Sequence, residues 1–328
     1  MKFNPENPRY VYTTSVDGRF LSQDLEGRQS NVFLDTQDIS YWWCSLDISR
    51  QYNVMFVGGN TGQAVLLDSQ GEVICKYKKF HRGKVKYAEF CPSGHWLLAT
   101  ASVDHTAALW DIRMLRSQSG DSTDRPEPLY TLGHTAPVNS ATFDPHTGSR
   151  LLTTAQNSVL QVHDASSNWE TATVVVSHPH RHFQHMTDIV ATWHPLHQDL
   201  CVVGRYPEKT DEDQTRTVDL IDLETGSGGR VVAQLSSTPL KGIVILNKFS
   251  RCGRRLASGM GYHCLLWGPE VKETKWLKGH GGRRPGDVLG GGRQKRGGRK
   301  RKKDEDDSRV AKKLKKMTVD AGKKKRVT

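Results

Sequence analysis

The sequence predicts an all-β fold assembled from repeated four-stranded modules. One observation is an apolar anchor followed two places on by proline and turn residues, as in KFNPENP at Phe3, EFCPSG at Phe90, TFDPHTG at Phe143 and TWHPLHQ at Trp193. A second is that each anchor leads to a short apolar strand and then to an alternating strand ending in aspartate. That aspartate falls 21 or 22 residues after the anchor in the first four copies. A third is the absence of helical periodicity between copies. Period-two alternation bounded by Gly, Asp and Asn turns is the pattern antiparallel hairpins require.

Taken in order, weaker anchors at Leu46 (SLDISRQ) and Phe249 (KFSRCG) bring the copies to six. The apolar strands are expected at VYTTS, VMFVGG, LLATAS, LLTTA, LCVVG and LASGM. The alternating strands are expected at FLSQD, AVLLD, AALWD, LQVHD and VDLID, with the last copy ending LLWG. The fifth copy is stretched by PEKTDEDQ. Repeats of about 40 to 45 residues that close on Trp-Asp read as WD40 β-propeller blades. LLATASVDHTAALWDIR fits that pattern most closely. An open sheet or a β-sandwich fits regular anchors poorly.

A propeller avoids exposed sheet edges by closing its ring. The first anchor lies beside Met1, so the expectation is that sequence for one further blade is missing ahead of it. Residues 1–270 are therefore read as a propeller incomplete at its N-terminus, and 271–328 as a separate tail.

The net charge of +12 is unevenly spread. Residues 279–328 hold 19 Lys+Arg against 6 Asp+Glu, leaving 28 against 29 in 1–278. The body is neutral, so nucleic-acid binding by it must rest on local placement of charge. The tail is rich in Gly, Lys and Arg, cannot bury enough apolar surface to fold alone, and is expected to be disordered. Its cluster KRGGRKRKK, including Lys300, Arg301, Lys302 and Lys303, suits nuclear import and sequence-blind attraction to phosphates.

The six cysteines are dispersed without a C-x-x-C pair and mostly sit in apolar runs. That is the usage of a reducing compartment. No stretch is long and apolar enough to span a bilayer, and the chain reads as soluble and intracellular. P-loop, G-x-S-x-G and H-E-x-x-H motifs are absent, so neither an enzyme nor a cofactor is expected.

The run HPHRHFQHM at 178–186 packs four histidines into nine positions. Zinc sites need further Cys, His or carboxylate support at suitable spacing, and no cysteine pair stands nearby, so no metal is assigned. The run falls between the strand ending at Asp164 and the anchor at Trp193, in a connecting loop or hairpin at the rim.

HPHRHFQH, VVGRYP (202–207), MGYH (260–263), LLATASVD with LWDIR (97–113) and WWCSLDIS (42–49) together resemble the small subunits of UV-damaged-DNA-binding complexes. The resemblance covers most of 1–268. It implies a seven-bladed propeller, of which about six repeats are visible here, gripping photolesion-bearing double-stranded DNA with one face. In that family Phe183, Gln184 and His185 would form a hairpin tip in the minor groove, filling the gap left by an extruded dinucleotide. Phenylalanine suits a wedge that unstacks a base step, while Gln and His can hydrogen-bond orphaned bases.

Arg181 and Lys84 would hold phosphates, Trp42 would line the lesion pocket, and Tyr206 and Tyr262 would share the same face. Asp111 and Arg113 match the motif that docks the complex's large subunit and, through it, a cullin-RING ubiquitin ligase. The implied role is a substrate receptor in nucleotide-excision repair, in the nucleus and on chromatin. A different function class, a nuclear WD40 platform for protein partners without lesion specificity, fits the repeats equally well. Two departures bear on the implied role. The family's N-terminal helical segment and first blade have no counterpart in this chain, and its basic loop near Lys84 is thinner here, reading HRGKVKY.

Overall fold

The computed structural model describes residues 1–117, 120–122, 125–180, 187–207, 216–224, 226, 228–236 and 242–269. Arg181, Phe183, Gln184, His185, the expected tail 271–328 and its Lys300–Lys303 cluster lie outside them. Met1–Ser236 with Leu240–Gly268 form one compact unit. A second grouping, Ser237–Pro239 with Pro269–Thr328, falls almost wholly outside the described residues.

The compact unit is a six-bladed propeller arrangement of antiparallel sheets. Blade 1 is made of Lys2–Phe3, Tyr10–Thr14, Arg19–Asp24 and Ser30–Asp35. Blade 2 is made of Trp43–Ser49, Val54–Gly59, Ala64–Asp68 and Val73–Tyr77. Blade 3 holds Val85–Phe90, Leu97–Ser102, Thr106–Asp111 and Tyr130–Gly133. Blade 4 holds Val138–Phe143, Arg150–Ala155, Val159–Asp164 and Ala172–Ser177. Blade 5 follows with Thr192–Trp193, Leu200–Gly204, Val218–Asp222 and Arg230–Leu235. Blade 6 has Leu246–Phe249, Leu256–Met260 and His263–Trp267. The six anchors lie on the first strands, and the expected apolar and Asp-terminated strands are the second and third.

Blade 6 has three strands among the described residues. Its outer strand His263–Trp267 exposes Leu266 at 80 %. The long connection after Asp111 departs from the all-strand reading. It begins with a short helix, Ile112–Ser117, and then lays Gly120–Ser122 parallel to Val73–Tyr77 as a fifth strand of blade 2. Six residues are too few for a helical period to show, which is why the sequence pattern gave no sign of it.

The core lies between neighbouring blades. Phe56, Leu66, Tyr77, Phe80 and Trp110 are fully buried between blades 2 and 3, with Phe80 and Trp110 at 3.9 Å between ring centroids. The polar rim of this cluster is satisfied internally. Trp110 Nε1 donates to Thr100 Oγ1 at 2.7 Å, the Thr100 hydroxyl meets His81 Nε2 at 2.8 Å, and His81 Nδ1 meets Asp104 Oδ2 at 3.0 Å. With Thr100 accepting from the indole and donating to Nε2, a neutral His81 protonated on Nδ1 satisfies every group.

The first strands are cross-braced by acids. Asp47 of blade 2 accepts from the Phe90 amide of blade 3 at 2.7 Å and from Lys2 of blade 1 at 2.9 Å. Glu89 of blade 3 repeats the device one blade on, accepting from the Phe143 amide at 3.3 Å.

Candidate nucleic-acid interface

Antiparallel order dictates which loops share an end of the blades. The turns joining second to third strands emerge on the same side as the connections running from each blade to the next. Trp42 (connection 36–42), Lys84 (78–84), Tyr206 (205–217), Tyr262 (261–262) and the approach to 181–186 (178–191) all lie at that end. Asp111 and Arg113 follow a third strand and lie at the other end.

The loops of the first end are tied to each other by backbone hydrogen bonds. The Asn60 amide donates to Trp42 O at 3.0 Å, and Asn60 Oδ1 accepts from the Trp42 amide at 3.1 Å. Gly62 O accepts from the amides of both Phe80 and His81, at 2.8 and 3.0 Å. Gly62 sits at φ +90°, and a Cβ there would meet His81 O at 2.2 Å, so this close approach requires glycine. Val103 donates to Lys84 O at 3.0 Å, His178 to Ser158 O at 2.9 Å, and Tyr206 to Pro179 O at 2.7 Å.

Trp42 is half-buried beside the fully packed Trp43. Lys84 is half-buried too, and among the described residues no ion pair holds it. Exposed Lys78, Lys79 and Arg82 share its loop. Lys86, two residues on, is different, since its Nζ is sequestered by Asp188 at 2.6 Å and Asn139 at 3.3 Å. Cys44 Sγ lies 4.0 Å from Trp42 O. Burial pushes that thiol up to about 11, with Lys84 and Lys86 pulling against the shift. Tyr206 lies beneath the Arg216 guanidinium, 5.1 Å from ring centroid. Tyr262 is fully exposed, at 105 %. Among the described residues this end thus offers cations that no ion pair holds, of the kind that contact phosphates, and one fully exposed aromatic, Tyr262, of the kind on which bases stack.

The sequence reading passed over a polar cluster at the root of the 181–186 segment. His178 and His180 are each 1 % exposed rather than being rim histidines. His178 Nε2 reaches Asp219 Oδ2 at 3.2 Å, and Arg205 Nη1 reaches the same oxygen at 3.4 Å. The signal was present in VVGRYP, where Arg205 precedes Tyr206. Its partner Asp219 lies in another strand and left no local trace. Among the described residues no group of His, Cys, Asp and Glu could hold a metal ion.

At the opposite end, Arg113 forks onto Asp111, with Nε to Oδ1 at 3.0 Å and Nη2 to Oδ2 at 2.6 Å. The hydrogen bonds from Arg113 hold the Asp111 carboxyl below its ordinary range. The guanidinium also lies 5.9 Å over the Trp96 ring. The two residues are therefore brought together, with Arg113 half-exposed at the surface.

Residues 72–111, spanning the outer strand of blade 2 and most of blade 3, match the WD domain, G-beta repeat family. The chain is 41 % identical to a Bos taurus protein named DNA damage-binding protein 2 over 279 residues, 84 % of this chain and 62 % of that one. The Mus musculus protein of that name is 40 % identical over 82 % of this chain and 60 % of its own length. The Gallus gallus protein is 41 % identical over 84 % and 54 %. The chain spans a little over half the length of these relatives. Residues 72–111 thus carry one WD repeat by sequence, the blades around it are those of a propeller, and over most of its length the chain is similar to proteins named DNA damage-binding protein 2.

Proposed function

We propose that the end of the propeller carrying Trp42, Lys84, Tyr206 and Tyr262 binds double-stranded DNA bearing ultraviolet photolesions. The observation that carries this reading is convergence. Trp42, Lys84, Tyr206 and Tyr262, each on a different loop and each expected to contact DNA, lie at one end, the same end from which the chain enters 181–186. The relatives' names point the same way. In this reading Phe183, Gln184 and His185 enter the minor groove and fill the gap left by an extruded dinucleotide. Arg181 and Lys84 hold phosphates. Extrusion costs a few kcal/mol and less at a poorly stacked lesion, so selectivity arises without reading sequence.

Asp111 and Arg113 lie away from this end, leaving room for a second partner. We propose that they dock the large subunit of the same complex, making the chain a non-catalytic substrate receptor of a cullin-RING ubiquitin ligase in nucleotide-excision repair. The Lys300–Lys303 cluster would carry it to the nucleus and to chromatin. Binding to duplexes with and without a single pyrimidine dimer tests the central point. Preference for the dimer is expected, and equal affinity would leave a WD40 platform for protein partners as the better reading.

A further inference from the structure

The residues leading into 181–186 hold a buried hydrogen-bond chain whose protons can be counted. Ala155 O can only accept, so His180 Nε2, 2.8 Å away, carries a hydrogen. A carboxylate can only accept, so His178 Nε2, 3.2 Å from Asp219 Oδ2, carries one as well. The two Nδ1 atoms then face each other at 3.2 Å, with the rings stacked at 5.4 Å between centroids. Were both rings neutral, their hydrogens would already be spent on Nε2 and two Nδ1 lone pairs would be opposed. One further proton between them completes the chain.

We infer that His178 and His180 share a single proton, balanced by Asp219, and that this charged pair is a positioning device for the chain entering 181–186. The reading of Asp219 as a carboxylate follows from its surroundings. Burial would push its carboxyl up, but hydrogen bonds from His178, Thr217 and Gln234 outweigh that and hold it low. Arg205 adds a positive charge at 3.4 Å. Burial pushes His180 down to about 4, with the charge of His178 adding to the effect, and His178 is the ring that faces the Asp219 carboxylate.

Among the described residues, Asp219 and Arg205 face the pair from blade 5, and blade 4 presents the carbonyls of Ala155 and Ser158. Asp188, on the same connection, is neutralised by Lys86. The pair is pinned on both sides. His178 donates its amide to Ser158 O, and Pro179 O accepts from Tyr206, so the segment bridges blades 4 and 5. Removing the shared proton opposes the Nδ1 lone pairs and loosens that bridge. The consequence for DNA rests on the proposed contact role of 181–186.

The test uses the full chain labelled with 15N-histidine. Ring spectra near neutral pH should show three N–H groups across His178 and His180, and two neutral rings would overturn the inference. A DNA-free second readout is hydrogen exchange at the His178 and Tyr206 amides. Their protection should fall as pH rises, by up to roughly tenfold per pH unit once the proton is being lost. In His180→Gln, which keeps a donor for Ala155 O but removes Nδ1, that pH dependence should vanish; an unchanged slope would sink the idea. Affinity for a dimer-bearing duplex should follow the same pH profile in the native chain and lose it in the variant. Absent preference for the dimer with the three N–H groups present would refute the DNA reading and leave the shared proton standing.

Discussion

The carboxylate of Asp47 and the amide of Phe90 meet at 2.7 Å across the first strands of blades 2 and 3, while Lys2 reaches the same side chain from blade 1. One buried acid therefore joins three blades. Asp47→Ala leaves the Phe90 amide without its partner and strands the Lys2 ammonium. The expected cost is about 1–3 kcal/mol, more if the ammonium stays buried, read as a lowered denaturant midpoint at unchanged slope.

Glu89 makes stability depend on pH in a direction opposite to most carboxylates. Burial pushes its carboxyl up to about 7, against the pull of Lys2 and Lys248. A folded-state value above the unfolded one means that its contribution is fully present below the ordinary Glu range and is lost as pH rises through about 7. Denaturation at pH values on either side of 7 should show this loss, and Glu89→Gln should flatten it. An equal slope in the variant would place the titration elsewhere.

Phe183→Ala removes the proposed wedge. Binding to a dimer-bearing duplex should weaken by about 1–3 kcal/mol, the worth of one base-stacking aromatic, with the melting temperature unchanged. Retained discrimination would show that another residue fills the gap.

Lys84→Glu should behave differently. A phosphate contact carries no lesion information, so affinity should fall by a similar factor for damaged and undamaged duplexes, and the salt dependence should become shallower. A loss confined to the damaged duplex would argue for a place in the lesion pocket.

Arg113→Ala serves as the control from the other end. It should leave both duplex affinities unchanged while abolishing capture of the large subunit. Joint loss of both would mean that the two ends are coupled.

The blades were legible because their signals are local. Pro-containing turns after Phe90, Phe143 and Trp193, and strands closing on Asp68, Asp111 and Asp164, each occupy a few consecutive residues. The helix Ile112–Ser117 and the parallel strand Gly120–Ser122 were too short to show a period. Trp42, Lys84, Tyr206 and Tyr262, which the family resemblance singled out, lie together because strand order alone fixes the end on which they lie. The burial of His178 and His180 was not legible. Their partners Asp219 and Ala155 stand 41 and 25 residues away, so polar residues that look solvated in sequence are in fact interior.

The stitching of one loop to the next at the first end has a mechanical meaning. Asn60 holds Trp42, Gly62 holds His81, Ser158 holds His178 and Pro179 holds Tyr206, each through backbone atoms that no side-chain rotation can release. A surface stitched in this way acts as a die, so whatever is pressed against it must do the yielding. If this end binds DNA as proposed, discrimination becomes a gauge of how compliant the ligand is, and a weakened spot in a double helix registers as softness before any atom of it is recognised.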